Sequence, residues 1–480
     1  MQLFGEYDVV IAGGGTSGVA AAIASGRVGA NTLLVERLGA LGGQFNISGP
    51  PGFAYAHMFN QAGEQIIGGI IDETHKRLLK EGHALPQIRP DFRGSYSFAY
   101  VDPDWWGLLM FEMMQENHVN LLLHSLAVDV LKEGDALRGL IVENTSGRQL
   151  ILSKVLIDCT GEGDIAVRAG APCEILPREQ LQPHTITFSA DGVDWDKVLN
   201  FIKDNPDEFP MFELRLNRLG WTKEQMIERI RRVEDITEIG EIMGWVTIRD
   251  EGIAKGEWHG FSGIGFFLTP REGGKIQALF QHSSQVPNCD PTDVRDLTYG
   301  EIECRRQITM AWKYIRKNVP GFENAYITRV CPELRLRESR RIMGDYYLTS
   351  KDVAEAMKFD DVIGKSGMAA GGHHVATTDT IVRGEAGTIS MPKNDGSHDI
   401  PYRCLVPKNV ENMLIAGKHI STDRDAYHRF LQQTMVTGQA AGVAAALCAK
   451  KNITPRQLEK DVSELQKILV KQGVILYGTR

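Results

Sequence analysis

The stretch with the clearest chemical meaning is the run Gly-Gly-Gly-Thr-Ser-Gly, which begins at Gly13. Gly13 permits a tight turn, Gly15 lets backbone N–H groups approach a pyrophosphate, and Gly18 lets a following helix pack closely on the preceding strand. Thr16 precedes that helix and Ser17 opens it, and the unpaired N–H groups and dipole of the helix favour an anion. The run predicts a dinucleotide-binding turn, and the alternative is a glycine-rich turn without a ligand.

The flanking residues decide between these two interpretations. Residues 7–12 predict a buried parallel strand, residues 17–28 a close-packed Ala-rich helix, and residues 31–36 a second strand. Glu36 ends the second strand, 18 residues after Gly18. A carboxylate at this point accepts hydrogen bonds from ribose hydroxyls and repels a 2′-phosphate. The context favours dinucleotide binding and disfavours NADP.

Further glycine and polar residues follow later predicted strands and favour a ligand longer than NAD. Arg37 comes directly after Glu36, and a glycine pair follows closely, where a single nicotinamide site normally needs nothing. Two more glycine loops follow the strands predicted at 154–158 and 412–416. The residues concerned are Gly42, Gly43, Gln44, Thr160, Gly161, Asp164 and Gly417. This trail favours FAD.

The composition is that of a folded chain with an excess of glycine. The 480 residues include 50 glycines, and 15 of them lie in the first 70 positions, where an even spread gives about seven. The formal charge of −8 leaves no basic footprint for nucleic acid. The most apolar stretch, 436–449, is too short to cross a bilayer, so no membrane partner is expected.

The seven cysteines include no C-x-x-C pair. A disulfide framework and a zinc site are therefore both disfavoured, and no metal is expected. The odd count fits a reducing compartment, and we predict a cytoplasmic location. The expected partner is a small-molecule substrate, and a homo-oligomer is left open.

The order of predicted elements indicates an α/β protein with two domains. A Rossmann-like, discontinuous FAD-binding domain comprises residues 1–175 and 401–480, and a second, α+β substrate domain comprises residues 176–400. The main predicted helices are 70–80, 102–117, 194–219, 222–233, 296–318 and 432–450; the later predicted strands are 120–124, 126–132, 137–143, 148–152, 154–158, 185–189, 275–282 and 412–416.

Several stretches resemble the FAD-dependent oxidoreductases of the glutathione-reductase-like superfamily, near the fumarate reductase and succinate dehydrogenase flavoproteins. They include DVVIAGGGTSGVAAAIASGRVGANTLLVER, LGGQ, VLIDCTGEGDIAVRAGAP, DIPYRCLVPKNVENMLIAGKHIS and TGQAAGVAAA. The resemblance implies that the glycine trail described above follows the cofactor. It further implies that Val128 contacts adenine through its backbone, and that Gln433, Thr434 and Met435 begin a helix whose N–H groups face flavin N1 and O2.

Four residues are candidates for the chemistry. The resemblance matches His374, next to His373, to a pocket histidine, and a neutral imidazole there would exchange a proton as hydride moves. The alternative is two surface histidines. Arg337 lies in the arginine-rich run Arg-Leu-Arg-Glu-Ser-Arg-Arg, which predicts either a salt-bridged strand or inward guanidinium groups that clamp a carboxylate or polarise a carbonyl. His428 is a further candidate, although a lone histidine is more often structural.

These observations predict an FAD-dependent oxidoreductase that transfers a hydride between flavin N5 and a small polar organic substrate. A flavin monooxygenase or a redox-neutral flavoenzyme is the alternative within the same class. A non-catalytic, flavin- or nucleotide-binding regulatory protein is the alternative of another class. A disulfide reductase is excluded because the chain lacks a close cysteine pair.

Overall fold

A computed structural model describes residues 1–49, 54–87, 97–210, 222–239, 242–371, 390–426 and 428–480. Its strands are β1 Gln2–Ala12, β2 Thr32–Val35, β3 Asn120–Leu122, β4 Leu126–Glu133, β5 Ala136–Asn144, β6 Gly147–Asp158, β7 Cys173–Glu174, β8 Phe188–Asp191, β9 Ile242–Gly244, β10 Ile264–Arg271, β11 Lys275–Phe280, β12 Tyr326–Val330, β13 Arg341–Ile342, β14 Val362–Ser366, β15 His398–Pro401 and β16 Met413–Ile415.

The helices of the described residues vary in length from one turn to seven. They are α1 Thr16–Val28, α2 Ile70–Lys80, α3 Pro103–Glu116, α4 Asp164–Ala169, α5 Trp195–Asp204, α6 Lys223–Arg231, α7 Val246–Ala254, α8 Val294–Asn318, α9 Ser350–Ala354, α10 Leu431–Lys451, α11 Pro455–Leu458 and α12 Ser463–Lys471. None of these helices is long and apolar enough to cross a membrane.

The larger sheet has parallel strands in the order β3-β2-β1-β6, and the antiparallel strands β5 and β4 continue it. Strand β16 also pairs with β6 in parallel. The first half of β6 therefore pairs with β5, and its last residues pair with β16. Because β16 comes from the C-terminal part of the chain, this α/β sheet is built from both ends of the sequence, as predicted.

Strand β6 differs from the sequence prediction, which divided it into strands at 148–152 and 154–158. The structure has one strand because β6 pairs with β1 from Gln149 to Asp158, with one register shift in β1 between Leu3 and Gly5 and with Ser153 opposite Tyr7. The pairing with β1 thus continues across Ser153, the polar residue at which the sequence prediction separated two strands.

Helices α1 and α10 pack against each other and both contact the larger sheet, and glycines set how closely these elements pack. A Cβ on Gly18 would overlap the carbonyl oxygen of Gly13. Cβ atoms on Gly438 and Gly442 would overlap the carbonyl oxygens of Ser17 and Ala21. Helix α10 is buried along nearly its whole length, and its small residues allow this backbone-to-backbone packing.

A second sheet has the antiparallel order β12-β8-β11-β10-β9. Its core is rich in aromatic rings, including Phe188 stacked on Phe280 with 4.6 Å between the ring centroids. This core spans residues 186–334 together with a few residues before 101, whereas Ile342 and Val362 pack in the core of the larger sheet. The domain boundaries at 176 and 401 stay a prediction.

Helix α5 is shorter than the predicted helix at 194–219. It begins after the N-cap Asp194, whose side chain accepts from the Lys197 N–H, and it ends at Asp204. The next residue precedes Pro206, and a residue before proline is disfavoured in the helical region. Residues 211–221 lie outside the described residues.

Replacing Gly442 by Ala tests whether the α1–α10 contact limits stability. Helix propensity alone favours alanine by about 1 kcal/mol. We expect instead a loss of about 1–3 kcal/mol in the free energy of unfolding, because the new methyl group overlaps the Ala21 carbonyl oxygen. Chemical denaturation measures the change. The control is Gly260→Ala, whose Cβ meets no atom within 4 Å. Equal stability of the two variants would contradict the prediction.

Candidate functional site

The carboxyl ends of the parallel strands open onto a cleft of about 420 Å³. Open α/β sheets bind ligands at this edge because the loops that follow neighbouring strands converge there. Thirteen of the predicted cofactor residues line the cleft: Gly13, Gly15, Thr16, Ser17, Glu36, Arg37, Gly43, Gln44, Thr160, Gly161, Asp164, Gly417 and Thr434. Residues more than 400 positions apart in the chain thus share one surface.

Three of the four glycines in the first turn, Gly13, Gly15 and Gly18, have different geometries. Gly13 has φ +103°, and a Cβ there would lie 2.5 Å from the Cys159 carbonyl oxygen. Gly18 packs against Gly13, as described above. Gly15 has φ −69°, which any residue can adopt, and a Cβ there would meet no protein atom within 4 Å. The space beside Gly15 is therefore open cleft at the N-terminus of α1, where a phosphate fits.

Glu36 both lines the cleft and shapes the turn. Its carboxylate accepts hydrogen bonds from the Gly14 N–H at 2.6 Å and from the Leu38 N–H at 2.9 Å. Burial raises the pKa of Glu36, and the two backbone hydrogen bonds oppose that shift. Arg37, at the rim, forms an ion pair with Glu333 at 2.6 Å. Each carboxylate oxygen of Glu36 has further acceptor capacity for a ribose hydroxyl.

The loop after β6 is organised by Asp158, which the sequence reasoning missed. This fully buried carboxylate accepts from the Thr160 N–H at 2.9 Å, the Thr160 hydroxyl at 2.7 Å and the Ala166 N–H at 2.8 Å. Asp164 in the same loop accepts from Arg340 at 2.9 Å. An acidic residue that ends a buried strand just before a Thr-Gly pair was the available signal.

Of the three residues predicted at the start of α10, one lines the cleft, and the orientation of the helix N–H groups toward the flavin stays a prediction. Thr434 lines it, and its hydroxyl bonds the Thr16 hydroxyl at 2.7 Å. Gln433 caps the helix by accepting from the Phe430 N–H at 3.1 Å. Met435 is buried in the core of the larger sheet. These two residues hold the helix in place.

Three other predicted cofactor residues also lie off the cleft surface. Gly18 lies under the turn, and a Cβ on Gly42 would lie 2.7 Å from the Trp106 ring. Val128 lies in β4, whereas the neighbouring residues 125–127 line the cleft. The sequence reasoning located this strand correctly, and the backbone contact of Val128 with adenine stays a prediction.

A smaller pocket of about 30 Å³, here named the arginine pocket, adjoins the cleft because Lys418 and Arg429 line both. Two predicted catalytic residues, Arg337 and His428, lie in it, whereas His373 and His374 lie outside the described residues. The pocket is lined by Gln182, Arg337, Glu338, Ser339, Arg340, Arg341, Lys418, Thr422, Asp423, Arg424, His428 and Arg429.

His428 is buried and bonds His398, with 2.9 Å between the two Nε2 atoms. Burial lowers the pKa of His428 to about 3. The imidazole is therefore neutral near pH 7 and is better suited to hydrogen bonding than to proton transfer, which works best with a pKa near the working pH.

Arg337, the second predicted catalytic residue in the pocket, has its Nη2 atom 3.3 Å from His282 Nδ1. No cluster of metal-ligating side chains occurs among the residues that the structure describes.

The cleft fits an extended dinucleotide such as FAD. The open space beside Gly15 lies at the N-terminus of α1, Glu36 lies at the end of the second strand, and the loops at 160–164 and 417 continue the same surface. In this arrangement the turn at 13–17 would hold the pyrophosphate and Glu36 the adenosine ribose.

Substituting Gly15 and Gly18 separately by Ala tests this assignment. Gly15→Ala places a methyl group in open cleft, so we expect unchanged stability of the apoprotein, within about 1 kcal/mol, and at least a tenfold weaker affinity for FAD. Gly18→Ala overlaps the Gly13 carbonyl oxygen, so we expect the apoprotein itself to lose about 1–3 kcal/mol. Denaturation curves and FAD titration separate the two effects. Full FAD affinity in Gly15→Ala would contradict the assignment.

The comparison with protein families agrees with a cleft that binds FAD. The family model for FAD dependent oxidoreductases matches residues 8–469. No curated protein matches the chain significantly. A solved geranylgeranyl bacteriochlorophyll reductase-like protein from Thermoplasma acidophilum is similar, with 12% identity, 98% of this chain and 84% of that chain covered, and a TM-score of 0.44.

Two further solved structures are similar at the same low level. The p-nitrophenol 4-monooxygenase from Pseudomonas putida has 8% identity, coverage of 98% and 86%, and a TM-score of 0.44. The anhydrotetracycline hydroxylase from Streptomyces rimosus has 14% identity, coverage of 97% and 67%, and a TM-score of 0.40. We infer nothing about function from likenesses this weak. The family match over 8–469 and the cleft that fits its cofactor lead to one conclusion: the chain belongs to the FAD-dependent oxidoreductases and is an enzyme that uses FAD.

Proposed function

We propose that this enzyme transfers a hydride between flavin N5 and a carbon atom of a small polar organic substrate. Bound FAD would supply the two-electron chemistry. The observation that carries the proposal is the junction of two sites: the arginine pocket meets the dinucleotide cleft at Lys418 and Arg429. A charged pocket beside a redox cofactor supports a polar substrate over an apolar one.

The residues at this junction supply positioning and charge. The Lys418 ammonium contacts the Glu162 carboxylate and donates to the Leu336 carbonyl oxygen at 3.2 Å. Arg429 lies with its guanidinium carbon 5.4 Å from the centroid of the Phe430 ring. Both cations lie between the cleft and the pocket, where they would orient an anionic or polar substrate group.

The proton that accompanies hydride transfer needs an acid or base with a pKa near the working pH. His428 does not meet that requirement, because burial lowers its pKa to about 3. We therefore keep His374 as the proposed acid–base residue, on the resemblance of its segment to a pocket histidine. The branch near the fumarate reductases likewise stays a proposal.

Anaerobic titration with a substrate library tests the hydride transfer. A reduced substrate should bleach the absorbance of oxidised bound flavin at about 450 nm without any other electron donor, and its oxidised product should restore that absorbance in flavin that has been reduced beforehand. Reduction only by NADH, followed by oxygen insertion into a substrate, would identify the monooxygenase alternative instead. A flavin that responds to no compound in either assay would favour the non-catalytic regulatory protein.

Substituting the two adjacent histidines separately tests the proton-transfer residue. His374→Ala should lower turnover at least tenfold and leave the FAD content unchanged, because general acid–base catalysis contributes about 10²–10⁴-fold. His373→Ala serves as the matched control and should retain most activity. Loss of turnover in His373→Ala alone would identify His373 as the acid–base residue. Unchanged turnover in both variants would show that neither histidine transfers the proton.

A further inference from the structure

The arginine pocket contains buried polar atoms that form no hydrogen bond among the residues that the structure describes. These atoms are Arg424 Nε and Nη2, the Ser339 hydroxyl, Gln182 Oε1 and His428 Nδ1. Buried polar groups are normally paired, because leaving one unsatisfied costs about 1–3 kcal/mol. Four neighbouring side chains with this property in one pocket indicate a missing ligand. We propose that the arginine pocket binds a carboxylate group of the substrate, an inference that rests on the proposed function.

Arg424 carries the inference because its two unpaired nitrogens are the donors of one guanidinium edge. Two parallel N–H groups on this edge match the two oxygens of a carboxylate. The same chain uses the same edge elsewhere: Arg403 Nε and Nη2 donate to the two oxygens of Asp361 at 3.0 and 3.2 Å. Arg306 likewise donates to Glu303 at 2.8 and 2.7 Å.

The charges around Arg424 favour an added anion. Among the residues that the structure describes, six cationic and two carboxylate side chains line the pocket. Glu338 is already used, since it accepts from the Gln182 N–H at 3.0 Å and from Arg341 at 2.9 Å. It lies 3.5 Å from Arg424 Nε without forming a hydrogen bond to it. The second, Asp423, accepts from the Ser350 and Ala426 N–H groups at 2.7 and 2.6 Å.

The polar neighbours complete the recognition of a carboxylate. The Ser339 hydroxyl is a donor. His428 becomes a second donor when it accepts at Nε2 from His398, because a neutral imidazole then carries its proton on Nδ1. His398 would be a positioning residue that selects this tautomer. Gln182 Oε1 is an acceptor, which suits a hydroxyl or amino group on the same ligand.

The size of the pocket favours a carboxylate over a larger anion. Its volume of about 30 Å³ holds a group of two or three heavy atoms, since about 10–15 Å³ on this measure holds one water. The rest of the substrate would extend past Lys418 and Arg429 toward the cleft.

Saturation-transfer NMR on the FAD-loaded enzyme tests the site directly, with propionate and the neutral propionamide as probes at matched ionic strength. We expect propionate to bind and propionamide to bind at least tenfold more weakly. Arg424→Met should weaken propionate binding at least tenfold. The matched control is Arg148→Met, which removes a side chain that is 63% exposed. Ser339→Ala is a smaller change and should weaken propionate binding severalfold. This variant replaces Arg424→Met in the test if Arg424→Met loses FAD.

Three results would overturn the inference. The first is equal binding of propionate and propionamide, and the second is equal propionate affinity in Arg424→Met and Arg148→Met. The third is inorganic phosphate binding more tightly than propionate at the same site, which would indicate a phosphorylated ligand.

The substrate library separates this inference from the proposed function. Flavin reduction by carboxylate-bearing compounds alone, lost in Arg424→Met, supports both. Reduction by neutral compounds alone, equally in both variants, overturns the carboxylate inference and leaves hydride transfer standing. An Arg424-dependent propionate site in an enzyme that no compound reduces would overturn the proposed hydride transfer instead.

Discussion

The site depends on how closely helix α1 approaches the backbones around it. Gly18 allows the helix to contact the turn at Gly13, and Gly438 and Gly442 allow α10 to contact α1 from the other side. A methyl group at any of these contacts would overlap a carbonyl oxygen. Protein interiors are close-packed and tolerate such overlap poorly. The N-terminus of α1 is thereby held at the end of β1, where the cleft begins.

The glycine excess of the chain therefore has more than one physical cause. Gly15 leaves space for a ligand, whereas Gly18 and Gly442 leave space for other parts of the protein. Gly13 combines a positive φ with a close approach to Cys159. Residues of one type in one short motif thus affect cofactor binding and folding separately, and a glycine-rich motif is better understood position by position.

The cleft and the arginine pocket attract anions through different groups. In the cleft, backbone N–H groups at a helix N-terminus suit an anion and need no charged side chain. In the pocket, buried guanidinium groups supply the charge, and burying a charge without a partner is unfavourable. Asp164 and Glu338 neutralise two of these arginines within the protein, while Arg424 keeps one donor edge unpaired. This contrast supports the cleft as the cofactor site and agrees with the proposed anion site in the pocket.

The sequence was sufficient to predict the elements whose signals are local. The turn at 13–18 was predicted because glycine spacing reflects steric limits within a few residues. The start of α3 was predicted because Asp102 is a residue type that accepts from N–H groups of a first helical turn, and because Pro103 has no N–H that needs a partner. The same local patterns indicated the acidic end of β2 and the small-residue helix α10.

What depended on contacts distant in sequence needed the tertiary structure. The continuity of β6 depends on β1, and the structural role of Asp158 depends on the loop that folds back over it. The sequence indicated Arg337 as the candidate for binding an anion. The guanidinium edge without a hydrogen bond that we propose for this role belongs instead to Arg424, nearly ninety positions later. A run of arginines indicates charge, but which guanidinium edge is left without a hydrogen bond depends on packing between distant segments. The sequence by itself determined the family and its cofactor turn, and the tertiary structure decided which side chains line the arginine pocket.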